Sequence, residues 1–412
     1  MKYRKNLVRI VLTVSMLCAS MPSFAQNDNW HIWLREKIQQ HPAVIAAKER
    51  WLSAEAGSQA LEQPLYNPEL STELERNGNY DNYRVGINQT IDWWDKRGAR
   101  ENQASFLRAA AKARYQQVLL DKTAEALMAQ AQWQAASKAQ ALISEQQTQL
   151  DALLSLVEKR KQAGDLGSID AELTFLSLST QMTQIAEIEA NLQKTESKVR
   201  ELLPGWTPEL NPVPESFWAK SDALDSKPDL LKLPLIASAR SHWQALDEAA
   251  EATRRNAKAE PTIGINAGRD GDENVVGLSF SIPINVRNNY SAETRAAKRE
   301  ALEAEAQFRA IYRKQEFNWK AAHAAWQRFN QQYQRWQSQV LKRIQHSEAL
   351  LKRQWLSGDL STADYLLALN QRSESLLAGI TLEKQTRLEL IELLLASGQL
   401  ADIAGQPSMT TN

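Results

Sequence analysis

The 412-residue sequence has almost no cysteine: Cys18 is the one thiol, so beyond the first 25 residues no disulfide and no thiolate metal site can form. Glycine and proline are scarce, at 15 and 13 residues, about 7% together against roughly 12% in average proteins. That shortage disfavours a compact fold full of tight turns and favours long uninterrupted helices. Charge of one sign is not in excess, since 49 Lys+Arg face 49 Asp+Glu, which argues against a nucleic-acid binder relying on a cationic face. No run of 18 apolar residues follows residue 25, so no transmembrane helix is expected. The five histidines (His31, His41, His242, His323 and His346) never pair at a spacing of three or four. Three of the six methionines, Met1, Met16 and Met21, lie in the first 25 residues. Neither a dedicated metal site nor a Met-rich soft-metal path is therefore expected. P-loop, nucleophile-elbow and dinucleotide-glycine motifs are absent, so no enzyme activity and no cofactor are expected. With a mean hydropathy of −0.49, composition alone describes a soluble, helical, charged protein.

What is present starts with an export signature. Lys2, Arg4, Lys5 and Arg9 form a basic region, Ile10 to Ala19 an apolar core, and Ser23-Phe24-Ala25 a small-residue cleavage site. Cleavage after Ala25 would leave a chain with net charge −4. Leu17 before Cys18 stands where a lipoprotein signal requires Gly, Ala or Ser, which argues against lipidation.

The remainder repeats itself. No Gly or Pro occurs from Ala99 to Ala163, or again from Ile284 to Ser357. Helices over most of these runs would be roughly 100 Å long, far beyond the globular range. Each run ends at a short turn, Gly164-Asp165-Leu166-Gly167-Ser168 or Gly358-Asp359-Leu360-Ser361-Thr362, and a return helix follows. Ala171, Leu178, Ile185, Leu192 and Val199 give the first return helix a heptad seam. Aligning the halves pairs the two Gly-Asp-Leu turns and Asp170 with Asp364, at an offset of 194. Pro68 then pairs with Pro261, Pro42 with Pro234 and Gly86 with Gly277, the offset drifting to 191. Five prolines from Pro208 to Pro234 mark the linker.

Ahead of each long run lies a period-two segment, Tyr83 to Trp93 and Val276 to Ile284, preceded by shorter candidate strands Glu69 to Arg76 and Thr262 to Gly268. The intervening turns, Asn77 to Asp81 and Arg269 to Glu273, are rich in turn formers. Each half thus supplies one β-hairpin. Such strands fit either a soluble ribbon packed on helices or a tilted crossing of a bilayer. Trp93 and Trp94 at one end, Tyr80 and Tyr83 at the other, and a small polar opposite face favour the membrane. An open sheet edge cannot stand in hydrocarbon, so four strands must join others to close a barrel; three chains would give twelve.

Two repeats of helix, β-hairpin, long helix, tight turn and return helix resemble the TolC family of outer-membrane efflux ducts, over essentially the whole chain beyond residue 25. The segment Gly277 to Ile284, leading through Asn288-Asn289 into the long helix, and the two Gly-Asp-Leu turns carry the resemblance. Asn67-Pro68-Glu69-Leu70 and Asp95-Lys96-Arg97-Gly98-Ala99-Arg100 are most similar to the CzcC-type branch, which serves heavy-metal cation efflux; Trp93-Trp94-Asp95 departs from the small residues often found there. The resemblance implies a mainly α fold with a small transmembrane β part, assembled as a homotrimer: a 12-strand β-barrel in the outer membrane of a Gram-negative bacterium, continued by an α-helical barrel through the periplasm. It implies a passive duct fed by a periplasmic adaptor and an inner-membrane pump of the resistance-nodulation-division type, in contact with outer-membrane lipid and not with nucleic acid. The alternatives are a duct for drugs or type I protein secretion and, in another class, a periplasmic coiled-coil adaptor or scaffold.

Carried over by position, the adaptor-docking and pore tips are Arg160, Gly164, Asp165, Leu166, Ser168 and Asp170 in the first repeat. In the second they are Arg353, Gly358, Asp359, Leu360, Ser361 and Asp364. Asp165, Ser168, Asp359 and Ser361 equally suit caps of the return helices, and Asp170 and Asp364 could ring a cation-favouring mouth. Lys96, Arg97 and Arg100 read either as a solvated helix start or as a contact for lipid headgroups. The expected organisation is a signal peptide at 1–25 and a first repeat at 26–206, with its β-hairpin at about 67–94 and helical hairpin at about 97–203. A linker at 207–233, a second repeat at 234–400 with hairpins at about 261–286 and 288–397, and a tail at 401–412 complete it.

Overall fold

Helices occupy the breaker-free sequence and turns occupy the breakers. The computed structural model describes residues 25–163, 168–208, 212–219 and 227–404. In chain order the elements of the first half are α1 (Ala25–Gln39), α2 (Pro42–Glu62), β1 (Glu69–Asn77), β2 (Tyr80–Thr90), α3 (Lys96–Gln162) and α4 (Ser168–Leu202). A linker with the short α5 (Glu215–Trp218) follows. The second half comprises α6 (Pro234–Asn256), β3 (Thr262–Asp270), β4 (Glu273–Ser281), α7 (Ser291–Arg335), α8 (Lys342–Leu356), α9 (Thr362–Ser397) and α10 (Leu400–Ala404). Residues 1–24, the body of the expected signal, and 405–412 of the expected tail lie outside the described residues. The fold is mainly α with one small antiparallel sheet, as the sequence led us to expect.

Each element has a local cause. Proline opens α2 and α6 in the first turn, where its missing N–H costs nothing, and the His41 ring accepts the Ala43 amide at 3.1 Å. The 67-residue α3 is about 100 Å long. It packs against α2 and α6 along one part of its length and against α4 and α9 along the rest, while α7 packs on α6 and α9. In the heptad of α4, Val199 is fully buried, whereas Ile185 and Leu192 are half-buried. The main core lies where the two kinds of pairing meet. There Trp30, Leu34 and Ile38 of α1, Leu119 to Leu127 of α3, Trp206, Phe217 and the Leu390–Leu394 stretch of α9 interlock.

The four strands form one sheet in the order β1-β2-β3-β4, antiparallel throughout. Both hairpins turn through two residues, Gly78-Asn79 and Gly271-Asp272. Glycine alone has positive φ in each, +61° and +62°, the type II′ arrangement that suits the twist of paired strands. The two turns therefore align Gly78 with Gly271, and both ladders keep that same offset rung by rung. Gly86 is in consequence the counterpart of Ser279 and not of Gly277: the hairpin geometry overrides the glycine match by two residues.

The strands also end earlier than their alternation suggests. β2 stops at Thr90 because the next residues serve the helix. The Asp92 carboxylate accepts the amides of Lys96 and Arg97, both at 2.8 Å, and folds the chain back into α3. Trp93 and Trp94 thus stand beyond the strand. β4 likewise ends at Ser281, leaving Ile282 and Ile284 outside it.

A two-faced sheet above a buried ion pair: the candidate functional site

Register sorts the sheet side chains into two faces. Leu70, Ile87, Ile265 and Leu278 stand in one row across all four strands, and each is between 60% and 84% exposed. Thr72, Val85, Ala267 and Val276 form the next row of that face, and Ile263 and Phe280 extend it. The opposite face begins with the row Glu69, Asn88, Gly264 and Ser279 and the row Ser71, Gly86, Asn266 and Gly277. Glu73, Arg84, Glu75, Asn82, Asp270 and Glu273 continue it toward the turns, with Arg84 at 3.5 Å from Glu73 and 4.0 Å from Asp270. An apolar sheet face of this extent, covered by none of the described residues, marks an interface with lipid or another protein. Among the described residues no helix packs closely on either face, which is not the arrangement of a soluble ribbon packed on helices.

Aromatic residues stand toward both ends of the sheet. Tyr80 opens β2 beside the turns, on the polar face by register, Tyr83 lies on the apolar face, and Trp93 is exposed past the far end. Trp94 is held differently. Its indole N–H donates to the Ala259 carbonyl at 2.8 Å and the Lys258 ammonium sits over its ring.

Beneath the sheet the two repeats are joined by a buried charge pair. Lys96 Nζ lies 3.1 Å from Glu260 Oε2, the side chains being 7% and 3% exposed. The same ammonium donates to the Lys258 carbonyl at 2.9 Å, and the Tyr66 hydroxyl donates to Glu260. Burial, together with the hydrogen bond to Glu260, pushes the Tyr66 pKa up to about 12. Burial opposes ionisation of Asp92, but the two amides it accepts outweigh that and hold its pKa below the usual carboxylate value. Arg255 completes the joint by donating to the Asp95 carboxylate and carbonyl at 2.6 Å. Lys96 is therefore not available to lipid headgroups. Its aliphatic stem and ammonium are enclosed, and a carboxylate of the other repeat has claimed the charge. Arg97, half exposed, donates to the Glu62 carbonyl and pairs with Glu101.

At the other end of the molecule lie the tip residues. Gly164, Asp165 and Leu166 fall outside the described residues; Arg160, Ser168 and Asp170 are placed in helices, but their side chains are outside the description. In the second tip Gly358 takes φ +84° to reverse the chain. Ser361 caps α9, accepting the Asp364 amide at 3.1 Å, whereas Asp359 accepts from the Ser357 hydroxyl and caps nothing. Arg353, Asp359 and Asp364 are exposed. Leu360 packs on a satellite core in which Leu150, Leu153 and Val157 of α3 meet Trp355, Tyr365, Leu366 and Leu369. The Trp355 and Tyr365 rings stack at 4.9 Å. The second tip is thus docked on the first hairpin. Among the described residues no cluster of His, Cys, Asp and Glu could hold a metal ion, and no helix is long and apolar enough to cross a membrane.

No protein-family profile and no curated protein matches the chain in sequence. Solved structures do match in shape. The outer-membrane channel OprN superposes with a TM-score of 0.75 at 16% identity, covering 91% of each chain. CusC, solved in a study of folding and transmembrane channel formation, gives 0.75 at 16% identity over 95% of this chain and 98% of its own. The Campylobacter jejuni outer-membrane channel CmeC gives 0.76 at 13% identity over 99% and 96%. These neighbours are TolC-family outer-membrane channels, and at such identities the likeness is one of fold.

Proposed function

We propose that the chain is one copy of a passive outer-membrane duct in a tripartite efflux system. Three copies would pool their strands into a 12-strand barrel, with the helices forming a tube through the periplasm. The observation that carries this reading is the open four-stranded sheet, with an exposed apolar row on one face and a charged, polar row on the other. Lipid outside and water inside a closed barrel satisfy both faces and both edges together. The strands, at 9 to 11 residues, have the length of tilted crossings. The likeness to known channels supports the same arrangement. No reacting group is required: work comes from an inner-membrane pump, of the resistance-nodulation-division type, and reaches the duct through a periplasmic adaptor that docks at the helical tips.

For cargo we favour heavy-metal cations. The Asn67-to-Leu70 and Asp95-to-Arg100 segments support this through their likeness to the CzcC-type branch. The charge of the polar sheet face supports it independently, since Glu69, Glu73, Glu75, Asp270 and Glu273 are opposed there by Arg84 alone. A lumen of that sign concentrates cations. Cell fractionation tests the duct and gene deletion tests the cargo. The protein is expected in the outer-membrane fraction, extractable only with detergent, and recovery in the soluble periplasm would overturn the duct in favour of an adaptor or scaffold. Deletion is expected to sensitise cells to zinc, cobalt, cadmium or copper more than to drugs. Sensitivity to drugs alone, or loss of protein secretion alone, would overturn the metal assignment.

A further inference from the structure

Between α3 and α7 the second repeat stacks two helices end to end. Both α6 and α9 pack against both long helices. Gly398, which caps α9 at φ +80°, stands so close to Leu233 at the start of α6 that a Cβ there would meet its Cδ2 at 2.6 Å. Beside this join lies a cavity of about 500 Å³. Its walls are largely apolar, with Leu120 of α3, Leu235 of α6 and Leu395 of α9 among them. Three carboxylates also line it, Asp121 of α3 and Glu389 and Glu392 of α9, and no Lys, Arg or His does. The first repeat closes its equivalent join, where α4 ends and α2 begins, with apolar side chains: Ile38, Val44, Val199, Leu202 and Trp206 pack there within the main core. At the offset of 194 that aligns the two turns, Glu389 and Glu392 correspond to Thr195 and Lys198. The acidic bay belongs to one repeat only.

We propose that this bay binds an organic cation with a hydrophobic body, a protonated amine whose ammonium lies among the carboxylates and whose body rests on the leucine and alanine walls. The polar lining calls for a donor. Gln117 donates to Asp121 at 2.7 Å, and Lys122 is paired with Glu125. Among the described residues no cation pairs with Asp121, Glu389 or Glu392. Burial and the neighbouring Glu392 push the Glu389 pKa up, and burial does the same to Asp121, so an entering positive charge meets groups that gain from it. Gln315 supplies an independent sign. It is 9% exposed, lines the cavity, and donates from Nε2 to the Ala396 carbonyl at 3.2 Å, while no described residue donates to its Oε1. That oxygen is an acceptor left for the same ammonium. A hydrated metal ion fits less well, because apolar walls offer it nothing and no His, Cys, Asp and Glu cluster among the described residues could hold one. The volume is that of a small-molecule site.

The helix that carries two of the carboxylates also orients the bay. On α9, Arg387 donates to Glu215 of α5, and Leu390, Ile391 and Leu394 join the main core. At about 100° per residue, Glu389, Glu392 and Ala396 lie on the opposite side of the helix. The bay is thus turned away from the linker. A layer packed inside a tube would fill its bore, so the linker side is the outer one. In the duct reading, on which this placement alone rests, the bay faces the lumen.

Equilibrium dialysis of the detergent-solubilised protein against protein-free micelles at pH 8 tests the site. The probe is 1-naphthylmethylammonium, and the uncharged 1-naphthylmethanol is its control. The amine is expected to bind saturably, and the alcohol no more than the micelles account for. Glu389→Gln combined with Glu392→Gln is expected to weaken the amine by about tenfold to a hundredfold, the loss of charge-assisted hydrogen bonds, and to leave the alcohol unchanged. If that protein fails to fold by circular dichroism and gel filtration, Glu392→Gln alone, at an exposed position, carries the same prediction. Equal binding of the amine by parent and variant, or equal binding of amine and alcohol, would overturn the site. In planar bilayers the amine is expected to lower the conductance of the parent channel and not that of the variant. Binding without block would overturn the lumenal placement and retain the site. Failure of the duct reading is distinguishable from both, since it is read by cell fractionation without the probe.

Discussion

The two repeats fold through the same succession of elements, yet they are built differently along their long helices and at their helix starts. In the first repeat α3 runs unbroken for 67 residues. In the second, the equivalent path consists of 45 residues of α7, a six-residue π turn at Trp336–Leu341, and 15 residues of α8. The π turn coincides with a specific contact. The Trp336 indole fills the space beside Gly379 of α9, where a Cβ would come within 2.1 Å of the ring. A π turn re-aims side chains by inserting a wider turn into the helix, and here it sets a large knob against the one residue without a side chain. The first repeat has no such interruption. It contributes Lys96, Trp94 and Asp95 to the joint with the second, whereas the second presents Ser291, Asn289 and Tyr290 at the matching positions. The first repeat's long helix is unbroken and its start is tied by charge to the second repeat; the second repeat's long path is notched and held by shape.

The largest expected effect concerns the charge pair. Removing one partner, as Lys96→Met or Glu260→Leu, leaves a buried charge unpaired and is expected to cost about 3–5 kcal/mol in urea unfolding of the detergent-solubilised protein. The double substitution exchanges two buried charges for apolar groups of similar size and is expected to regain most of that loss. Equal losses for Ser291→Ala and Asn67→Ala, the repeat counterparts of Lys96 and Glu260, would erase the distinction between the two repeats.

A smaller effect separates two glycines that one substitution treats oppositely. Gly57 in α2 has nothing within 4 Å of a built Cβ, so Gly57→Ala is expected to stabilise by about 0.5–1 kcal/mol through helix propensity. Gly379→Ala gains the same propensity but drives a methyl into Trp336, and a net loss of about 1–3 kcal/mol is expected from overpacking. Adding Trp336→Leu should restore stability in the second case. The thermal midpoints of these four proteins decide the matter, and a Gly379→Ala protein as stable as the parent would mean that the knob contributes nothing.

How far the sequence disclosed this follows from the range of each interaction. The breaker-free runs, the two hairpins and their alternation depend on neighbours within a few residues; α3 and α7 lie in those runs, and the four strands overlap the alternating segments, although β2 and β4 each begin and end three residues earlier than the alternation suggests. Alternation misled at Ile91 and Trp93, where the odd positions stay apolar although Asp92 has already turned the chain into its helix cap. The Lys96–Glu260 pair was illegible because its members sit in different repeats and each resembles an ordinary surface charge. The π turn carries no breaker, and its cause lies on another helix. The matched glycines Gly86 and Gly277 occupy equivalent faces but not equivalent rungs, a two-residue difference that period-two patterning cannot detect.

The smallest effect distinguishes the helix starts by acid. At the start of α3 two carboxylates receive backbone amides, Asp92 from Lys96 and Arg97, and Asp95 from Gly98 at 3.2 Å. At the start of α7 two neutral amides do this work, Asn288 from Tyr290 at 2.9 Å and Asn289 from Ser291 at 3.1 Å. A carboxylate at a helix N-terminus gains from the helix dipole, and an uncharged amide gains little. Because the Asp92 pKa is depressed in the folded chain, its contribution is full above the ordinary carboxylate range and disappears as pH falls through the folded value. Asp92→Asn is therefore expected to cost about 1 kcal/mol at pH 7 and progressively less toward pH 3. Asn289→Ala, which removes the neutral acceptor of the Ser291 amide, should cost a similar amount at every pH. Urea unfolding of both variants and the parent between pH 7 and pH 3 tests this. Parallel pH profiles for the two variants would mean that the charge at α3 adds nothing to what a neutral cap supplies at α7.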